Sequence, residues 1–194
     1  WIRMMLWLTC GLVSFFHGQN DGQKGVGILM MILIAILPGQ FSLDEKINLQ
    51  SVNGNVIEIQ KIIASTDTTQ FGKDEFKNYN SVKKHAASYY AATLGKTRAS
   101  EITITERFEL RKDVVKLTKG TEKLLKSPNF SISFKDATKL KREIKSAKKL
   151  VEFAPSWVII LISISLGLGT MVGWKRIVKT VGEKIGKQHM SYAQ

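Results

Sequence analysis

The chain has 194 residues, of which 44% are hydrophobic, and a formal net charge of +13 at pH 7. Its charged residues are segregated: residues 4–20, 25–43 and 154–174 contain no Asp, Glu, Lys or Arg, whereas residues 42–155 contain 22 basic and 14 acidic residues. This segregation argues against an ordinary soluble globular domain. The single cysteine, Cys10, excludes an intramolecular disulfide framework and a multi-cysteine metal site.

Three apolar stretches indicate membrane segments: Met4–Phe16, Gly25–Phe41 and Pro155–Trp174. A transmembrane helix needs about 20 apolar residues, and the third stretch meets that length. The first two are shorter and flank the polar string His17–Lys24, HGQNDGQK. They predict two short spans, a re-entrant pair or one discontinuous helix broken at the string. The expected fold is an all-α integral membrane protein with short or discontinuous transmembrane helices and a soluble helical insert.

The first apolar stretch has a second interpretation. Arg3 followed by an apolar run resembles a signal peptide, and Trp7–Cys10, WLTC, resembles a lipoprotein cleavage site. No small-x-small cleavage site follows, however, and another apolar stretch begins soon afterwards. We therefore favour the membrane-segment interpretation.

Residues 42–155 are water-soluble in composition, have a net charge of +8 and show helical periodicity. Apolar residues recur at helical spacing in Ile47–Ile63 and Asp74–Leu94. Thr103–Glu106 has the form of a capping box in front of a third helix. Ser133–Asp136 opens a fourth, lysine-rich helix. The segment is therefore predicted to be a soluble, basic, helical insert.

The C-terminal part combines a predicted transmembrane helix, residues 156–174, with a basic amphipathic tail, residues 175–194. Positive charge beside a span favours the cytoplasmic side. If the third apolar stretch crosses once, the insert lies on the opposite face. Together with the membrane segments and the HGQNDGQK string in residues 1–41, these parts predict a multi-pass membrane protein.

The polar string allows two interpretations. It is a polar turn between two membrane helices, because Gly18, Asn20, Asp21 and Gly22 all favour turns, or it is a substrate site within the membrane. In the second case the glycines let a helix break. The broken ends then present backbone N–H groups and a positive dipole to an oxyanion.

The side chains of the string suit an ion site. Asn20 and Gln23 offer neutral amide donors and acceptors. Asp21 can bind a cation or carry a proton, and an ionisable residue at membrane depth indicates function because its burial there is costly. Lys24 balances Asp21 or an anionic substrate, or else extends to the interface. The candidate substrate- and ion-binding residues are Gly18, Asn20, Asp21, Gly22, Gln23 and Lys24.

Residues 14–27, SFFHGQNDGQKGVG, resemble the signature of the inorganic phosphate transporter family, the low-affinity phosphate permeases. That family carries a Gly-Ala-Asn-Asp motif in each of two inverted repeats. Its bacterial subgroup has His-Gly-Ala-Asn-Asp-Gly-Gln-Lys in the second repeat, and here Gln19 stands in place of the alanine. A second resemblance covers residues 157–194. The subgroup's Gly-Leu-Gly-Thr, Gly-Trp-Lys-Arg and Gly-Glu-Lys-Ile-Gly strings stand at 167–170, 173–176 and 182–186.

This resemblance implies a middle fragment of a phosphate transporter, covering part of the second repeat, in a multi-pass protein of the plasma (inner) membrane. The first repeat would precede Trp1, and a Ser-Thr-Thr-His region of the family would follow Gln194. Asn20 and Asp21 would contribute to a phosphate and coupling-ion site near the bilayer midplane, built with the absent repeat and operated by alternating access. The subgroup is associated with proton-coupled uptake, partly of neutral divalent-metal–phosphate complexes. Other relatives use sodium, so the coupling ion stays open.

The remaining features carry less chemistry. No nucleophile–base arrangement or phosphate-cradling loop is visible, so we predict no enzyme, cofactor or metal site. The basic residues of the insert are interspersed with acidic ones and lack a nucleic-acid-binding motif, which predicts solvated helical faces and no nucleic-acid partner. His85 is expected to be solvated, His189 is isolated, and Gly169 and Gly173 form a candidate packing face. The alternative function is a membrane-anchored interaction protein whose insert binds a partner.

Overall fold

The computed structural model describes the backbone of residues 1–185, together with the side chains of those residues outside 175–178 and 181–185. The described part consists of helices and loops and contains no strand. A single 3-10 turn, Ala99–Glu101, precedes the fifth α-helix. The α-helices are α1 (Ile2–Ile36), α2 (Pro38–Phe41), α3 (Leu49–Ala64), α4 (Lys73–Thr93), α5 (Ile104–Leu125), α6 (Phe134–Lys148) and α7 (Ser156–Ile185).

The chain divides into two compact units. The first unit comprises residues 1–31 and the chain from 154 onward, and the second comprises residues 32–153. Most of α1 and all described residues of α7 belong to the first unit. Helices α2 to α6 belong to the second.

α1 is continuous across the polar string, so the expectations of short spans, a turn or a helix break at residues 17–24 are wrong. Its 35 residues extend over about 52 Å at 1.5 Å per residue. Gly18 and Gly22 permit a break without requiring one, since a glycine inside a helix costs only about 1 kcal/mol. α1 ends at Ile36, two residues before Pro38, because proline lacks an N–H donor and disfavours the helical conformation in the preceding residue.

α7 carries the predicted membrane span. Within the described residues, one stretch, Ser156–Trp174, is long and apolar enough to cross a membrane by length and composition, with a mean hydropathy of 1.9. The same helix continues to Ile185, so the described part of the predicted basic tail is helical. The rest of the tail, residues 186–194, lies outside the described residues.

The second unit is built around buried faces of α3 to α6, with apolar residues three and four positions apart. The predicted capping box of α5 is confirmed: Thr103 accepts from the Glu106 N–H, and Glu106 accepts from the Thr103 N–H. Neither Gly54 in α3 nor Gly120 in α5 interrupts its helix. The fully buried large side chains are Tyr89, Leu43, Leu49, Ile59, Ile63, Leu110, Leu117, Leu124, Leu140, Leu150, Val52 and Val56.

Candidate functional site

The polar string forms slightly more than two turns in the middle of α1. A rotation of about 100° per residue places its polar side chains on one broad face and its glycines on the adjacent face. The glycine face consists of Gly18, Gly22 and Gly25. The order of the polar side chains around the axis is Gln19, Gln23, Asn20, Lys24, His17 and Asp21.

Asp21 lies between two cationic or titratable partners. The Nε2 atom of His17 is 3.1 Å from Asp21 Oδ2, and Lys24 Nζ donates to Asp21 Oδ1 at 3.4 Å. The Asp21 side chain is 36% exposed, compared with 75% for His17 and 67% for Lys24. The carboxylate of Asp21 is therefore the least exposed of the three side chains. Lys24, which lies on the same helix, balances its charge.

The glycine face beside Asp21 is where α7 approaches α1. A Cβ atom added at Gly25 would lie 2.9 Å from Cγ2 of Ile162, so this contact requires a residue without a side chain. Cβ atoms added at Gly18 or Gly22 would meet nothing within 4 Å in the described part of the chain. Two of the three glycines thus leave an open surface next to the carboxylate.

The backbone of this segment does not form the anion site predicted from a broken helix. In a continuous helix each N–H group donates to the carbonyl four residues earlier, so the N–H groups of residues 18–24 are already engaged. In this conformation only side chains are available to donate hydrogen bonds to an anion. Asn20, Gln23 and Lys24 supply N–H donors on the polar face.

His17 is a member of the cluster that the candidate site residues omit. Its contact with Asp21 follows from the spacing of four residues, which places two side chains one above the other on a helix. Sequence reasoning could have found this pair once the segment was treated as one continuous helix. The expectation of a break at the string separated the two residues.

His85 is not solvated, which corrects the sequence expectation. Its side chain is 14% exposed, and Nδ1 lies 2.8 Å from Oδ1 of Asp113 on α5. Ser88 donates to the other oxygen of Asp113 at 2.6 Å. Because Ser88 and His85 both contact the carboxylate rather than each other, this cluster fastens α4 to α5 and does not form a nucleophile–base pair.

The remaining sequence candidates add no second site within the described residues. A Cβ atom added at Gly169 would meet nothing within 4 Å, while Gly173 is half-buried. Among the described side chains, no group of three or more His, Cys, Asp or Glu residues could hold a metal ion. His189 lies outside the described residues.

Comparison with known proteins points to one family. A sequence model described as "Phosphate transporter family" matches residues 1–194. The low-affinity inorganic phosphate transporter of Buchnera aphidicola subsp. Acyrthosiphon pisum is 36% identical over 208 residues, which cover all of this chain and 42% of that relative. No solved structure gave a significant match.

Two relatives from Escherichia coli (strain K12) show the same coverage. The low-affinity inorganic phosphate transporter PitB is 33% identical over 218 residues, and PitA is 28% identical over 227 residues. In both cases the match covers all of this chain and 43% of the relative. The chain therefore spans about two fifths of the length of the curated relatives it matches, and these relatives are named as transporters, not enzymes.

Proposed function

We propose, because the chain belongs to the phosphate transporter family, that it forms part of a secondary transporter for inorganic phosphate. Family membership makes this a membrane protein and phosphate the expected substrate. The proposal adds a multi-pass topology in the plasma membrane and alternating access coupled to protons or sodium. Phosphate is carried as the free ion or as a neutral complex with a divalent metal.

The Asp21 cluster suggests how an anion and a cation are coupled. In the structure Lys24 forms an ion pair with the Asp21 carboxylate, and the His17 ring lies within hydrogen-bonding distance of it. An arriving phosphate ion competes for the Lys24 ammonium, because a lysine forms strong charge-assisted hydrogen bonds with phosphate oxygens. Asp21 then loses a counter-charge and recruits a proton or sodium ion, since an uncompensated carboxylate at membrane depth is costly.

The neighbouring residues shape the substrate surface in this proposal. Asn20 and Gln23 lie on the side of Lys24 away from Asp21 and donate amide N–H groups to the bound anion. Gly18 and Gly22 leave room beside Asp21, so a substrate or another helix can approach the carboxylate closely. The observation that carries the proposal is the contact of Asp21 with both Lys24 and His17 between the two apolar stretches of one helix.

Uptake of radiolabelled phosphate tests this assignment. The complete reading frame that contains these 194 residues is reconstituted in proteoliposomes with an imposed proton or sodium gradient, with and without Mg²⁺. Asp21→Asn keeps the side-chain size and removes the charge, so we expect protein insertion to survive and concentrative uptake to be lost. Lys24→Gln is expected to be comparably severe, because the lysine neutralises phosphate in this mechanism.

The matched control is Gln19→Ala. Gln19 lies on the same helix, away from Asp21 around the axis, and alanine is the residue that the family resemblance gives at this position. Its uptake should stay within about twofold of the unsubstituted protein, as expected for an exposed substitution of small energetic effect. Accumulation by Asp21→Asn at the unsubstituted level would end the case for a coupling site here.

A further inference from the structure

A basic groove lies between α5 and α6 in the second unit, on the surface of the lysine-rich helix. It has a volume of about 510 Å³, within the range of about 300–1,000 Å³ that is typical of small-molecule sites. Its apolar lining comes from Leu125 and Ile144. Its charged lining consists of Glu122, Lys126, Lys141, Lys145 and Lys148.

The lysines of α6 are arranged in a row that is unfavourable on its own. Lys141 and Lys145 are four residues apart and Lys148 follows three residues later, so their ammonium groups share one helix face. Like charges at this spacing destabilise a helix. Lys126, at the end of α5, adds a further positive charge across the groove.

Only one of the four lysines is neutralised by nearby carboxylates. Lys148 Nζ lies 2.8 Å from Glu122 and 3.6 Å from Glu152, and the hydrogen bond with Glu122 raises the pKa of Lys148 above its ordinary value. Among the side chains that the structure describes, Lys126, Lys141 and Lys145 have no ion-pair partner. Since Glu122 is itself neutralised by Lys148, the groove keeps three uncompensated positive charges.

The dipole of α6 accounts for part of this lysine row, but it does not occupy the N–H groups of the lysines. α6 ends at Lys148, and cations in the last turn are stabilised by the negative end of the helix dipole. Lys141 lies a full turn or more before that end and gains little from it. The ammonium N–H groups of the three lysines remain available to an anion, and the apolar lining excludes water from one side of it, which strengthens the attraction.

We infer that this groove binds a free oligophosphate, a small anion with two or more linked phosphoryl groups. The charge of such an anion matches three lysines better than the single or double charge of orthophosphate. Its several oxygens can accept hydrogen bonds from both helices at once. This site is separate from the α1 residues of the proposed transport function, so the two assignments succeed or fail independently.

Calorimetric titration with sodium tripolyphosphate tests the inference. The 194-residue chain is incorporated into phosphatidylcholine nanodiscs at physiological ionic strength, where non-specific attraction is largely screened. Saturable binding with one site per chain is expected. The triple variant Lys126→Gln/Lys141→Gln/Lys145→Gln should weaken it about tenfold or more, because three charge-assisted contacts are removed.

A second triple variant controls for net charge. Lys73, Lys77 and Lys84 on α4 are exposed and do not line the groove. Changing these three to Gln removes the same charge and should leave the affinity within about twofold, since distant surface charges are screened. Equal weakening by both triple variants, or no saturable binding, would overturn the inference.

Two further measurements test whether lipid headgroups occupy the groove and whether the ligand contacts these lysines. In discs containing phosphatidylglycerol, tripolyphosphate should bind as before; loss of binding there would show that lipid headgroups occupy the groove and would refute a free ligand. Tripolyphosphate should also protect Lys126, Lys141 and Lys145 of the unsubstituted chain from acetylation, as read by mass spectrometry. Absence of protection would contradict the site even if the triple variant failed to fold.

Discussion

The backbone N–H of Asp44 donates a hydrogen bond of 2.9 Å to the carbonyl of Leu150, which joins the segment before α3 to the segment after α6. Arg111 on α5 reinforces this junction. Its Nη1 atom donates to the carbonyl of Ser42 at 3.1 Å and to that of Val151 at 2.5 Å. Burial lowers the pKa of the Arg111 guanidinium below its ordinary value. The two ends of the second unit are therefore closed on each other.

This closure predicts which fragment of the chain folds alone. Residues 38–153 should be soluble and mainly helical by circular dichroism, because this fragment keeps the junction and the buried side chain of Leu43. Residues 45–153 lack both. Loss of one buried leucine alone costs about 1.5–3 kcal/mol, so the shorter fragment should unfold at clearly lower urea concentration. Equal midpoints for the two fragments would show that the junction contributes nothing.

Arg111→Met should destabilise the 38–153 fragment. The change leaves the carbonyls of Ser42 and Val151 without their charged donor, and a hydrogen bond to a charged group contributes about 1.5–3 kcal/mol. We expect the free energy of unfolding in urea to fall by about 3 kcal/mol. The control is Lys112→Met, which removes an exposed ion pair of 2.7 Å with Glu109 and should cost less than about 1 kcal/mol.

Helix positions and much of the core of the second unit follow from local sequence patterns. Val52, Val56 and Ile59 recur at helical spacing and are all buried, and the capping box at Thr103 is visible in four residues. Burial of aromatic residues could not be predicted in the same way. Phe76 remains 50% exposed, whereas Tyr89 on the same helix is fully buried. This difference depends on packing between distant segments.

The structure of the candidate site could likewise be predicted only in part from local sequence patterns. The motif predicts that Asp21 and Lys24 bind substrate or an ion, but its turn-forming residues do not decide whether the backbone breaks or stays helical. Gly18 and Gly22 tolerate both a break and a continuous helix, and the contacts around Asp21 are compatible with the helix. Similarly, the burial of His85 depends on Asp113, which is 28 residues away and lies on another helix.

Gly120 should be intolerant of alanine, although it lies within a helix. A Cβ atom there would be 2.7 Å from Cγ2 of Val82, so α4 and α5 would have to move apart. Overpacking of this kind costs about 1–3 kcal/mol. We expect Gly120→Ala to lower the urea midpoint of the 38–153 fragment accordingly.

Gly54→Ala is the matched control for the substitution at Gly120. Gly54 lies inside α3, and a Cβ atom there would meet nothing within 4 Å. Alanine has the higher helix propensity, so this change should stabilise the fragment by about 0.5–1 kcal/mol. Opposite signs for the two variants are the expected result, and stabilisation by both would contradict the close approach of α4 and α5.

Glu75 should make the stability of the second unit depend on pH. Its carboxylate accepts hydrogen bonds from Ser127 Oγ, from the Gly72 N–H at 2.6 Å and from Asn129 Nδ2 at 3.1 Å, which joins the start of α4 to the loop after α5. These bonds hold the pKa of Glu75 below its ordinary value of 4.5. Since the folded-state pKa is the lower one, the stabilisation is complete above the unfolded-state pKa and is lost as the pH falls through the folded-state value.

Glu75→Gln should therefore lower the free energy of unfolding by a constant amount from pH 7 down to about pH 5, and by progressively less below about pH 4.5. Urea titrations of the 38–153 fragment at successive pH values measure this difference. Asp74→Asn is the control, because Asp74 is an exposed carboxylate in the same helical turn and makes no ion pair with the described side chains. At pH 7 its effect on the free energy of unfolding should be smaller, because the hydrogen bonds to the loop after α5 come from Glu75. A Glu75→Gln difference that stays constant to pH 3 would show that the carboxylate hydrogen bonds do not favour the ionised form.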